Sequence, residues 1–220
     1  MERLELLESR VQALEKKMEE PVQRVLRDLK EKEVYNYQML RVAEDYYSRS
    51  LEQRAALLKA KSTFHLCKTI VMENKNYVHD PSSESEFNIT NSRYYCIVIQ
   101  YEHKLDAEKL RDFVLALKPP GERLPRKRYH FHLAPEKVND EMTGFFHNAV
   151  CPFGLSTPIP VLLCASCLQL SPPFLWMGGG EVNVKLGIPV SDFIRATGAF
   201  VADVSDPRQG TVAGGDYDED

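Results

Sequence analysis

Residues 1–33 set Leu4, Leu7, Val11, Leu14 and Met18 at alternating spacings of three and four, the seam of a coiled-coil helix, until Pro21 interrupts it. Beyond residue 33 the pattern changes. Short aromatic and β-branched runs alternate with short amphipathic ones, with no internal repeat and no long linker. That alternation predicts an α/β fold of the mixed α+β type: a central mixed sheet flanked by helices, preceded by a helical arm. A chain of 220 residues holds one such domain and an appendage, and is too short for two full-sized domains.

Proline is tolerated in a first helical turn, so Pro21 can open a second helix over 22–32. Helices are predicted at 51–61, 106–117 (Asp106 as cap), 135–142 and 191–197 (Ser191 as cap). Strands are predicted at 65–72, 94–101, 129–133, 160–168, 174–177, 182–186 and 200–204, and 74–93 is polar and turn-rich. The partition is an arm at 1–33, a domain at 34–205 and an acidic, disordered tail at 206–220. The arm either packs on its own domain or self-associates. A seam this short needs some partner. If it only docks, deleting residues 1–33 should leave a folded domain.

The net charge of −4 does not announce a nucleic-acid binder. It conceals a basic stretch at 118–128, with Arg123, Arg126, Lys127 and Arg128, offset by acids at 214–220. That stretch is the candidate RNA-binding loop. The first twenty residues alternate charge with leucine, unlike a secretory signal, and no apolar run approaches the ~20 residues of a membrane span. Five scattered cysteines read as free thiols in a reducing compartment, so the expected location is the cytoplasm.

Phosphate-binding GxxxxGK[ST] loops, GxSxG elbows and HExxH helices are missing. Cys164 and Cys167 have CxxC spacing, but on a strand residues three apart face opposite ways, so they read as structural thiols. His130 and His132 would share a strand face without a third ligand nearby, and no metal is expected. Two segments look built for a pocket. In 143–158, small, polar and proline residues interrupt an apolar sequence; in 176–180, three glycines follow a strand and permit close approach of a ligand.

Together with Lys68-Thr69, these segments resemble the YbaK/ProX superfamily, the trans-editing deacylases related to the insertion domain of bacterial prolyl-tRNA synthetase. The shared features are a strand bearing the Lys-Thr pair, the loop Thr143-Gly144 followed by Asn148-Ala149-Val150-Cys151-Pro152-Phe153-Gly154, and the turn Gly178-Gly179-Gly180. The resemblance covers about 70% of the chain. It implies hydrolysis of mischarged aminoacyl-tRNA by a positioned water, aided by the terminal ribose hydroxyl, with no cofactor, metal or protein nucleophile. Lys68 would be the catalytic group. Thr69, His147, Asn148, Ala149, Val150, Cys151, Pro152, Gly154, Gly178, Gly179, Gly180 and Asn183 would form the substrate pocket. The chain departs from the family at Asn148, where the loop has glycine, and at Asn183, where the bacterial proteins have aspartate. Asparagine tolerates a left-handed backbone, so the loop shape can survive the first change.

Implied partners are aminoacylated tRNA and, through the arm, an aminoacyl-tRNA synthetase or synthetase complex, or a second copy. No membrane is implied. Two other readings stay open: a non-catalytic aminoacyl-tRNA-binding or scaffold component, and a hydrolase acting on another small ester.

Overall fold

The computed structural model describes residues 20–79 and 88–208. The seam from Leu4 to Met18 and the acids at 214–220 lie outside the described residues.

The run at 94–101 forms the centre of the molecule. As strand β3 (Tyr94–Gln100) it buries both faces, sending Cys96 and Val98 to one core and Tyr95, Ile97 and Ile99 to another. Around it stands a five-stranded mixed sheet in the order β5-β2-β3-β6-β9, with β2 at Cys67–Asn74, β5 at Phe131–Leu133, β6 at Val161–Cys164 and β9 at Phe200–Ala202. The β2 strand runs antiparallel to both neighbours, whereas β3, β6 and β9 run parallel. A second, antiparallel sheet has the order β1-β8-β7 (Gln38–Arg41, Val184–Pro189, Phe174–Gly178). It touches the first through a parallel bridge, Leu66 to Trp176. Two three-residue strands, β4 (His103–Leu105) and β10 (Ser205–Pro207), make a small ribbon beside β3.

Five helices complete the described fold: α1 (Pro21–Glu31), α2 (Leu51–Leu57), α3 (Ala107–Ala116), α4 (Glu136–Thr143) and α5 (Val190–Thr197). The Asp106 carboxylate caps α3 by accepting from the N–H groups of Glu108 and Lys109, as its position predicts. Ser191 is not a cap. Pro189 holds that place and Ser191 lies in the first turn of α5. The strand expected at 160–168 ends at Cys164, and a 3-10 turn (Ala165–Gln169) carries Cys167 back into the core.

Of the two courses open to the arm, its described part, α1, follows packing on its own domain and is not a separate unit. Val25 and Leu29 are fully buried in the same core as Cys96, Val98, Phe153 and Phe193. The Arg24 guanidinium donates to the Gly144 carbonyl, and Asp28 accepts from the Gly154 N–H. Gly180, at φ +99°, gives the start of α1 room, since a Cβ there would stand 3.0 Å from the Pro21 backbone. A core boundary at residue 33 would cut through this packing.

Candidate active site

The cavity is a gap in the hydrogen-bonded edge of β2. Main-chain groups alternate along a strand, so neighbouring residues bond to opposite sides. Even-numbered residues of β2 bond towards β3: Asn74 N–H donates to Arg93, and Leu66 C=O accepts from Tyr101. Odd-numbered ones face the other edge, where Val71 C=O accepts from Ala134 and Lys75 N–H donates to His130. On that edge β5 pairs only with Met72–Asn74, and β7 meets the strand only at Leu66. Between these two ends the Thr69 N–H and C=O face a cavity of about 490 Å³ with no strand alongside. The Thr69 Oγ1 is buried as well, and has no hydrogen-bond partner among the described residues. An unmatched buried hydroxyl beside unmatched main-chain groups is costly unless a ligand completes it.

Lys68 sits on the same stretch, and its side chain lines the cavity on the face it shares with Ile70. The floor continues over Ile99, Leu105 and Ala107, and Leu133, His132, Glu136 and Asn139 form the β5–α4 side. Lys104 and Arg208 stand at the ribbon end.

The opposite wall is the loop at 146–150, of which His147, Asn148 and Val150 line the cavity. Asn148 adopts φ +64°, the left-handed conformation expected of it. The loop lies close against β7 because residue 178 is glycine. A Cβ there would stand 2.5 Å from the Val150 carbonyl oxygen. Lys68, Thr69, His147, Asn148, Val150 and Gly178 are thus brought together. The other predicted pocket residues do not line this cavity. Ala149 is buried in the core; Pro152 and Gly154 face α1; Gly179 abuts Met39 and Val184; Gly180 abuts α1; and Asn183 accepts from Arg41.

Cys151 is fully buried in the core, and burial pushes its thiol up to about 12, far from a thiolate at neutral pH. Replacing it with alanine is expected to leave turnover within about twofold, because the change deletes one buried sulfur from the core and no group that lines the cavity; a covalent acyl adduct trapped on Cys151 would contradict this. The Cys67 and Cys167 thiols are free and buried in the same core, and the neighbouring Cys167 thiol together with burial raises the Cys67 thiol well above its usual range. His130 and His132 stack edge-to-face with their Nε2 atoms 2.9 Å apart, and no group of three metal-ligating side chains occurs among the described residues.

Sequence reading missed the group behind the wall. Tyr47, on the 3-10 turn Glu44–Ser48, lines the cavity and donates from its hydroxyl to the Asn148 carbonyl at 2.8 Å. Lys185 of β8, only 3% exposed, donates to the Tyr47 hydroxyl at 2.6 Å and to the Val182 carbonyl at 2.9 Å. Burial, and then the nearby Arg54 guanidinium, lower its ammonium to about 7. A lysine between Val184 and Leu186 in an apolar strand was the available signal.

No family model matches the sequence, and no curated protein matches it. Among solved structures, the fold is similar to the crystal structure of a proposed trans-editing enzyme for prolyl tRNA synthetase. The TM-score is 0.64 at 20% identity, covering 86% of this chain and 99% of that one. It is also similar to the hypothetical protein APE2540, with a TM-score of 0.61 at 22% identity over 83% of this chain and 99% of that one. The resemblance to the YbaK/ProX superfamily is borne out at the level of fold, and so is the mixed α/β class. No helix among the described residues is long and apolar enough to cross a membrane.

Proposed function

We propose that this protein is a trans-editing hydrolase that deacylates mischarged aminoacyl-tRNA. The observation that carries the reading is the interrupted β2 edge: an acceptor, two donors and a lysine converge in one cavity. An aminoacyl ester offers matching groups, an α-ammonium for the Thr69 carbonyl and an acyl oxygen for a donor. The likeness of fold to a proposed editing enzyme supports the same reading.

An aminoacyl ester is already activated, so positioning and charge stabilisation suffice. Water attacks the acyl carbon, and negative charge gathers on the acyl oxygen. The Lys68 ammonium, a compact point charge, stabilises it. The ester C–O bond then breaks, and the departing ribose oxygen takes the proton that the water gives up, relayed by the adjacent ribose hydroxyl. The products are a free amino acid and an uncharged tRNA end.

Deacylation assayed over a panel of mischarged tRNAs tests the proposal. Release of amino acid in single-turnover conditions supports it; tight binding without release of any amino acid would favour the binding-module reading instead.

The basic loop is proposed to contact the tRNA backbone. Arg126 already pairs with Asp112 and Glu108, and Arg123 donates to the Lys118 carbonyl, so Lys127 and Arg128 are the more available charges. Replacing Arg126, Lys127 and Arg128 with serine should weaken binding and flatten its salt dependence by about 0.7 to 0.9 log units per lost phosphate contact. An unaltered slope removes the loop from the interface.

A further inference from the structure

We propose that Lys185 is a positioning residue for the cavity: through the Tyr47 hydroxyl it fixes the Asn148 carbonyl, and with it the loop wall that faces Lys68 and Thr69. An ammonium can only donate, so when Lys185 is charged the Tyr47 oxygen is an acceptor from it. The phenolic proton is then directed to the Asn148 carbonyl. Lys185 Nζ also approaches that carbonyl directly, at 3.5 Å. One carbonyl, on a residue in the left-handed conformation, thereby receives two aligned donors. A neutral amine reverses the arrangement. It can accept the phenolic proton, and the Asn148 carbonyl loses the shorter of its two donors, the Tyr47 hydroxyl.

The surroundings are suited to such a change near neutral pH. Tyr46 and Tyr47 present their rings to the Lys185 ammonium at 5.0 and 4.4 Å. Arg54 of α2, 2% exposed, stacks on Tyr46, Tyr47 and Tyr101 and donates to the Tyr47 main-chain carbonyl. Cys67 of β2 and Tyr101 complete the titratable groups around this small chamber. From β1 the neighbour is Leu40, next to Arg41, whose guanidinium is engaged by Glu181. The facing β7 residues, Met177 and Gly178, do not titrate, and His147 precedes Asn148 on the exposed side of the loop. Among the described residues no carboxylate pairs with Lys185. The depressed lysine and the tyrosine, whose hydroxyl burial pushes well above its usual range, leave Lys185 as the group that changes charge first.

The test joins two readouts on the whole chain. The first is the ¹³C shift of the Asn148 carbonyl followed with the ¹⁵N shift of Lys185 Nζ. Both should titrate together with a midpoint near 7, and Tyr47→Phe should uncouple them. The second is deacylation, corrected for free ester hydrolysis, which rests on the hydrolase reading. Its kcat should fall as pH rises through that midpoint, while KM changes less, and Lys185→Met should remove the transition. Lys185→Met should also remove a rise of melting temperature with pH above about 7. The folded state gives up the lysine proton near 7 while the unfolded chain keeps it to about 10.4, so stability rises with pH between those values. A carbonyl shift that ignores Lys185 overturns the proposal whatever the turnover shows. Coupled carbonyl and lysine shifts with no deacylation would sustain the positioning role and fault the hydrolase reading alone.

Discussion

A Lys68→Ala chain should fold as well as the parent and deacylate about 10²- to 10³-fold more slowly, the usual cost of removing one group that stabilises developing negative charge. Lys68 is only half buried and belongs to none of the core clusters, so its loss opens no cavity in the packing. Its main chain bonds to Ile99 of β3, and that pairing is independent of the side chain. The loss should appear in kcat more than in KM, because the charge it meets develops only as water adds. Lys68→Met, which keeps the apolar stem, should do no better, whereas Lys68→Arg should recover part of the rate. A folded Lys68→Ala protein with parental turnover would take the residue out of the chemistry.

The second large effect falls on the fold. Deleting residues 1–33 should leave a chain that does not fold cooperatively, since α1 supplies Val25 and Leu29 to the main core. Burying one such aliphatic side chain contributes about 1.5 to 3 kcal/mol, and the emptied site adds a cavity penalty. Two of them, with the Arg24 and Asp28 hydrogen bonds, rival a domain's whole margin of about 5 to 15 kcal/mol. Leu29→Ala alone should cost about 2 to 5 kcal/mol in urea unfolding. A truncated chain with a parental unfolding midpoint would show that α1 only decorates the surface.

The parts of this molecule that were legible in its sequence are those whose signal is local. The β-branched, aromatic run of β3 and the capped helix α3 each carry their own evidence along the chain. So does Asn148, one of the few residues suited to φ +64°. β1, β4 and β10 went unread, being three or four residues long and defined by partners far off in sequence, such as Gln38 with Gly187. The site was half legible for the same reason. Lys68, Thr69 and the loop lie in recognisable motifs, but the Tyr47–Lys185 bond spans 138 positions and no motif records it. The glycine turn misled in another way. Only Gly178 serves the cavity, and its neighbours Gly179 and Gly180 give room to β8 and to α1.

The early end of β5 carries a consequence outside catalysis. A stretch of strand with unclaimed main-chain groups is a docking place for any extended peptide, including one from a neighbouring copy. A full strand needs about 4.8 Å of lateral clearance and several residues of free run. Here the open run is confined to the neighbourhood of Thr69, closed at one end by β5 and at the other by the Leu66–Trp176 bridge, and the 146–150 loop stands across it. The gap is therefore a gauge. It admits a single extended residue with its own donor and acceptor, and turns away a polypeptide whose flanking residues have nowhere to go.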